Sequence, residues 1–307
     1  MSEAIRPTSG RRSFLKAGIG TMAAIAAAAG VLEPLRNSKL GTSLSAFLQQ
    51  HYKRLSPEDL DVIMKRLETE IAVRYGARVN IKDYKPIEGV EFGYALNLTR
   101  CNGSRRCVYA CMKENNQSHD PGIQYIKVLE LPSGSLNVEK SDHYYEHEEV
   151  PQDGKFYMPV QCQQCKNPPC TKVCPVEATW TESDGITVID YNWCIGCRYC
   201  MAACPYEARR FNFSEPEIPK EEINPEMGYL SNRIRPRGVV EKCHFCLHRT
   251  RQGKNPACME VCPTGARVFG NMLDPDSEIS FILRNKRVYI LKEDAGTIPR
   301  FFYYFDK

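Results

Sequence analysis

Apolar and polar positions along the chain fall into a few readable stretches separated by long tracts without a period. The first is an apolar run from Ile19 to Leu32, preceded by Gly10-Arg11-Arg12-Ser13-Phe14-Leu15-Lys16. The run suits a signal h-region and is short of the roughly 20 apolar residues of a membrane-spanning helix. The paired arginines read as a twin-arginine address, with a candidate cleavage site at the small residues Ala27 and Ala29. Residues 1–32 are therefore expected to be an export signal, an uncleaved anchor being the rival reading. Next, Ser56-Pro57-Glu58-Asp59 reads as an N-cap with proline at the first helical position, and Leu60, Ile63, Met64, Leu67 and Ile71 share one face before Gly76. Pairs such as Asp61/Lys65 and Glu70/Arg74 support a helix at this place. Further on, Ile123–Leu131 alternates as a strand does, and Leu136–Glu139 is expected to pair with it across Ser133-Gly134. Asn212–Gly238, rich in Pro and Glu, is expected to wrap the surface as a loop, and Arg287–Lys292 and Arg300–Phe305 to close the chain as strands.

Composition changes this picture through one residue type. The 307 residues include 15 cysteines, and all of them fall into four groups. The third group, Cys194-x2-Cys197-x2-Cys200-x3-Cys204 followed by Pro205, has the spacing of a bacterial [4Fe–4S] ligand run. Cys162-x2-Cys165-x4-Cys170-x3-Cys174-Pro175 and Cys243-x2-Cys246-x11-Cys258-x3-Cys262-Pro263 lengthen the loop before the third ligand. The first group reads Cys101-x5-Cys107-x3-Cys111, and it fits the same pattern if Ser104 takes the second position. Three thiolates from one tight loop can cap three irons of a cube. The fourth sits in the following helix, points away and ligates another cluster. Backbone N–H groups of such a loop turn toward the anionic cluster. Four groups thus make two ferredoxin-like units of two clusters each.

Competing readings of the cysteines do worse. Zinc ribbons want two pairs of ligands and leave the third thiol of each run unexplained. A disulfide framework is disfavoured by an odd count of 15. Clusters are assembled on reduced thiols in the cytoplasm, so a pathway that exports folded protein suits both the N-terminal signal and the cofactor, and implies a bacterial periplasm. Without residues 1–32 the formal charge is +1, and four oxidised clusters at about −2 each would bring the holoprotein to about −7. No basic stripe interleaved with stacking aromatics points to nucleic acid, and no Ser/His/Asp, paired-carboxylate or phosphate-loop signature marks the chain as a catalyst by itself.

From Cys194-Ile-Gly-Cys-Arg-Tyr-Cys-Met-Ala-Ala-Cys-Pro-Tyr-Glu-Ala-Arg209, with the long loop of the fourth group, the chain closely resembles the four-cluster iron–sulfur subunits of respiratory oxidoreductases. These are the electron-transfer subunits of dimethyl sulfoxide, polysulfide and tetrathionate reductases and of cytochrome-linked nitrite and sulfite reduction complexes. The likeness covers about residues 92–307 and leaves the N-terminal extension outside. It implies an α+β fold of two intertwined bacterial-ferredoxin-like units with β insertions and an N-terminal helical extension. The implied order is a signal over 1–32, the extension over 33–90, unit one over 91–115 and 235–285, a β insertion over 116–155, unit two over 156–214, a loop insertion over 215–234 and C-terminal strands over 286–307. By the same resemblance the first group pairs with the fourth and the second with the third. One cluster would take Cys101, position 104, Cys107 and Cys262, and its neighbour Cys111, Cys243, Cys246 and Cys258. The other two would take Cys162, Cys165, Cys170 and Cys204, and Cys174, Cys194, Cys197 and Cys200. The clusters of the first and third groups would be the ends of the wire.

The chain departs from that pattern at Ser104. Serine is harder to deprotonate than cysteine and a hard ligand for a soft site. Three outcomes stay open, in this order: a [3Fe–4S] cluster with a vacant corner, a serine-ligated [4Fe–4S] cluster, and an emptied site. The expected complement is three [4Fe–4S] clusters plus one [3Fe–4S] or atypical [4Fe–4S] cluster. Met112 replaces the proline after the last cysteine of group one, which is no ligand position. Arg105, Arg106, Arg198 and Lys166 lie inside ligand loops, where they either offset cluster charge or are solvated. His244 and His248 are expected to be ordinary loop or helix histidines. The expected function is a periplasmic electron conduit, membrane-associated through its partners. It would run from an integral membrane quinone-interacting subunit to a multihaem cytochrome c, with a molybdopterin catalytic subunit as the alternative. A metal-stabilised protein without redox function is the third reading.

Overall fold

The computed structural model describes residues 51–306, so the expected signal lies outside the described residues. Among the described residues the chain forms two compact units, Arg54–Ile63 belonging to the first and His51–Lys53 with Met64 onward to the second. Helix α1 (Pro57–Tyr75) starts as the sequence predicts: Ser56 Oγ accepts the Asp59 N–H at 3.1 Å, and proline holds the first position. Gly76 ends it at φ +64°.

The second unit is built from short elements: β1 (Asn80–Lys82), β2 (Phe92–Asn97), α2 (Arg106–Glu114), β3 (Lys127–Pro132), β4 (Lys155–Val160), α3 (Pro169–Lys172), β5 (Thr179–Thr181), β6 (Thr187–Ile189), α4 (Tyr199–Ala202), β7 (Arg209–Phe211), β8 (Glu226–Gly228), β9 (Val240–Lys242), α5 (Leu247–Thr250), α6 (Ala257–Glu260), β10 (Arg267–Asn271), α7 (Glu278–Asn285), β11 (Val288–Tyr289) and β12 (Phe301–Tyr304). The mixed content is α+β, as expected. One four-stranded sheet runs β10-β2-β12-β11, and the other strands form two-stranded pairs. β2 is buried along its length, antiparallel to β10 and parallel to β12. Its apolar positions pack with α7 in a core of Ala95, Val268, Ile279, Ile282 and Tyr304. A second core, Ile189, Tyr191, Val239 and Val240, includes Cys200.

Three expectations need correction. β3 pairs with β4 rather than with Leu136–Glu139. Leu136 and Val138 are about half exposed, so a hairpin there would have no apolar face to bury, whereas Tyr157 and Met158 of β4 are 1% exposed. The segment Asn212–Gly238 is not a surface loop throughout, since Tyr229 to Arg235 are buried. Its polar side chains satisfy backbone groups inside: Asn232 reaches the carbonyls of Glu114 and Glu226, and Arg235 those of Asn115 and Asn116. Finally, only Val288–Tyr289 of Arg287–Lys292 is a strand, while Phe301–Tyr304 forms as expected. Among the described residues no helix is long and apolar enough to cross a membrane.

Candidate iron–sulfur sites

The cysteine groups share a local construction dictated by their sequence. In groups two, three and four, Cys-Pro is followed by a left-handed residue, Glu177, Glu207 or Gly265, whose N–H returns to the carbonyl of Cys174, Cys204 or Cys262. A buried alanine comes next, Ala178, Ala208 or Ala266, and then β5, β7 or β10. Proline limits the preceding helices to four residues each, α3, α4 and α6. Group one has Met112 in the proline position, and α2 continues to Glu114.

The turns within the ligand runs are tight. Arg105, Gln164, Arg198, Phe245 and Cys246 all have positive φ, which turns successive N–H groups inward as in anion-binding nests. Glycine is required at two places. A Cβ on Gly103 (φ +76°) would lie 2.4 Å from the Tyr157 ring, and one on Gly196 (φ +70°) 2.2 Å from the Gly238 carbonyl oxygen.

The runs bring the cysteines together in three sets of four and one of three. Cys101, Ser104, Cys107 and Cys262 line one cavity (site one). Cys162, Cys165, Cys170 and Cys204 line another (site three), and Cys174, Cys194, Cys197 and Cys200 a third (site four). The remaining four, Cys111, Cys243, Cys246 and Cys258, are all buried, and charges on the last three would act on Cys111 (site two). All 15 thiols are free. No group of three or more His, Cys, Asp or Glu among the described residues is gathered to hold a single metal ion.

Burial sets the chemistry of these thiols. It pushes Cys101 up to about 11 and Cys165 and Cys243 up to about 12, and it raises Cys111, Cys246, Cys258, Cys200 and Cys204 as well. Cys262 goes the other way: burial acts against its thiolate but is outweighed by Thr264, by backbone N–H groups and by Arg267. Thiols so desolvated become thiolates only when a cation shares the cavity, which is the condition a cluster's irons meet. Polar groups already point at the sulfurs. Gln117 Nε2 lies 3.2 Å from Cys111 Sγ and Arg209 Nη2 3.0 Å from Cys170 Sγ. The Nε of Arg105, beside site one, and of Arg209, beside sites three and four, are buried without a hydrogen-bond acceptor. Such orphaned donors fit anionic sulfide in the cavities.

Of the loop cations, Arg198 lies over Phe211 and Phe213 and Lys166 is exposed near Glu91, whereas Arg105 faces site one. His248 is bound to Glu114, and His244 is buried among neighbouring cations. Sequence reasoning gave no role to Arg209, Arg267 or Lys242. For the two arginines the signal was the Ala-Arg that follows the Cys-Pro turn in groups three and four; Lys242, directly before Cys243, had none.

Free cysteines in sets of three or four, tight nested loops and Cys-Pro turns define a protein of the ferredoxin type. A family model described as a 4Fe-4S dicluster domain matches residues 154–223 and 229–272, spanning groups two to four. Among curated proteins the chain is 34% identical over 305 residues to a subunit of the selenate reductase of Mesobacillus selenatarsenatis, covering 95% of this chain and 96% of that one. It is 42% identical to Hdr-like menaquinol oxidoreductase iron–sulfur subunit 1 of Archaeoglobus fulgidus (64% of this chain, 71% of the relative) and 34% identical to protein NrfC of Escherichia coli (70% and 81%). The chain therefore belongs to the iron–sulfur electron-transfer subunits of respiratory oxidoreductases. The likeness to the selenate reductase protein takes in the N-terminal extension, which the cysteine motifs had left outside.

Proposed function

We propose that this chain holds four clusters in the four cysteine sets and passes single electrons along them between a membrane quinone-interacting subunit and a separate redox subunit. The observation that carries the reading is the grouping of 15 cysteines and Ser104 into four sets in series. Arg267 reaches Cys107 of site one and Cys258 of site two. The charge of Cys162 in site three acts on Cys243 in site two, and Arg209 lines both sites three and four.

When bound, the clusters supply one-electron redox chemistry; the chain supplies the rest. Cysteine thiolates fix each cluster's position. Buried Tyr94, Phe245, Tyr125 and Leu247 keep water from the inner sites. At site four Cys197 is exposed, with Ile195, Tyr199 and Phe213 each 63% exposed around the same loop, which suits that set to electron exchange with another protein. At site one Ser104 takes the second ligand position, and the three-cysteine set favours [3Fe–4S].

For the redox subunit, near end-to-end similarity to a selenate reductase component supports a catalytic reductase subunit of the molybdopterin kind. A multihaem cytochrome c is the second reading, supported by the chain's own twin-arginine sequence, which would let it be exported to the periplasm alone. Anaerobic affinity isolation from detergent-solubilised membranes decides between them. A large molybdenum-containing protein co-purifying with a polytopic one supports the first, a haem-staining protein the second. A sample lacking acid-labile sulfide would overturn the electron-transfer reading.

A further inference from the structure

Three cations in the core have no carboxylate to balance them among the described residues. Arg267, Lys242 and Arg209 are 3%, 2% and 3% exposed. Three other arginines with little exposure are ion-paired: Arg235 with Glu241, Arg251 with Glu182 and Asp184, and Arg300 with Glu91. Arg233 lies over the rings of Tyr191 and Tyr229, and its charge acts on Asp190. By contrast Arg267 touches Tyr94 Oη, Gln161 Oε1 and the sulfurs of Cys107 and Cys258. Lys242 donates to the carbonyls of Thr187 and Cys243. Arg209 touches Cys170 Sγ and Thr179 Oγ1.

Arg209 and Lys242 are moreover register neighbours, directly opposed across the antiparallel β7–β9 pair, and both line site three. Like charges opposed in this way repel, and in a desolvated core the penalty grows. A fold tolerates the arrangement only if an anion lies between the two, and the group on hand is a cluster with its thiolates. The places of the cations are also regular. Arg209 and Arg267 occupy the same position of the repeated Cys-Pro turn, the residue after Ala208 and Ala266. The third turn has Thr179 there, 3.0 Å from Arg209, where a second arginine would collide with the first.

We infer that Arg267, Lys242 and Arg209 are potential-setting residues inserted between consecutive clusters, so that anion and cation alternate from site one to site four. The inference rests on the four-cluster reading. Each cation stabilises the reduced, more negative state of the two clusters it separates and lowers the repulsion between them, so it raises both potentials together. Neither charge nor hydrogen bonding toward a single cluster would do so in pairs.

The test is an EPR-monitored redox titration of the anaerobically purified protein with all its clusters. Iron and sulfide are assayed on the same samples: fewer than four clusters in the wild type would sink the four-cluster reading on which this inference rests, whereas four clusters with the wrong pattern of shifts would sink this inference alone. In Arg209→Gln two clusters should become harder to reduce by at least about tenfold in equilibrium constant, about 59 mV for a one-electron couple. In Arg267→Gln the other two should move by as much, and in Lys242→Gln one from each pair. A shift at one cluster only, equal shifts at all four, or none beyond threefold in any variant overturns the proposal. If a glutamine variant loses a cluster, the charge-retaining Arg209→Lys and Arg267→Lys decide. Both neighbouring potentials within threefold of wild type support a charge role, while displacement of one cluster alone assigns the arginine to a hydrogen bond and refutes it.

Discussion

His248 Nε2 lies 2.7 Å from a carboxylate oxygen of Glu114, joining the helix of the first cysteine group to that of the fourth. The contact exists because α2 is not stopped by a proline after Cys111. Arg249 binds the other oxygen of Glu114 at 3.2 Å. Burial works against the Glu114 charge but is outweighed by the hydrogen bond to His248 and by the Arg249 guanidinium, and the net effect holds its carboxyl below the usual range.

Glu114→Gln should therefore cost about 1–3 kcal/mol, because the side chain is only 17% exposed and leaves His248 and Arg249 without their anion. A depressed carboxylate stabilises the fold above the unfolded value of about 4.5 and loses that contribution as pH falls through the lower folded value. Denaturant midpoints of wild type and variant should differ fully at pH 7 and converge below that window. Equal midpoints at pH 7 would show that the ion pair contributes nothing.

Ser104→Cys should complete the first cysteine set. Quantitative iron analysis is expected to rise by one atom per molecule, and the oxidised protein to lose the EPR signal of a three-iron centre. Ser104→Ala should leave both unchanged; loss of the cluster in that variant would make the hydroxyl a ligand.

Gly196→Ala should lower the iron content by one cluster or, where the cluster persists, destabilise the protein by about 1–3 kcal/mol. Its left-handed φ and the Gly238 carbonyl both reject a Cβ. Gly134→Ala, at φ +83° with nothing within 4 Å of the added atom, isolates the conformational part of the cost.

Stripping the iron with a chelator under reducing conditions should abolish cooperative unfolding. Cys111, Cys165, Cys200, Cys243, Cys246 and Cys258 are buried in the second unit, so the groups that would hold the clusters are part of its core. Unchanged near-UV circular dichroism of the apoprotein would show that the fold does not depend on the clusters.

Local ligand spacing made the cysteine groups legible, Cys194 to Cys204 forming their loop and helix within one short stretch, whereas which group completes which set came only from the resemblance. The α1 cap and Gly76 were legible for the same reason. Long-range choices were not. β3 takes β4 as its mate because Tyr157 and Met158 bury more than Leu136 and Val138 can, a comparison that needs the finished core. Asn224, Asn232 and Arg235 looked like loop polarity until the carbonyls they satisfy came into view. Arg209 and Lys242 had no role in the sequence because their opposition arises only when β7 and β9 pair.

In the four-stranded sheet, β12 lies between β2 and β11 and bonds to both. A strand some 200 residues upstream thus waits for Phe301–Tyr304 to be translated before its second edge is covered. Site one likewise needs both Cys101 and Cys262, which are far apart within the same span. Synthesis on the ribosome can therefore gather the middle pair of cysteine groups first, while the outer pair can meet only after Cys262 has emerged and its sheet can close only after Tyr304 has.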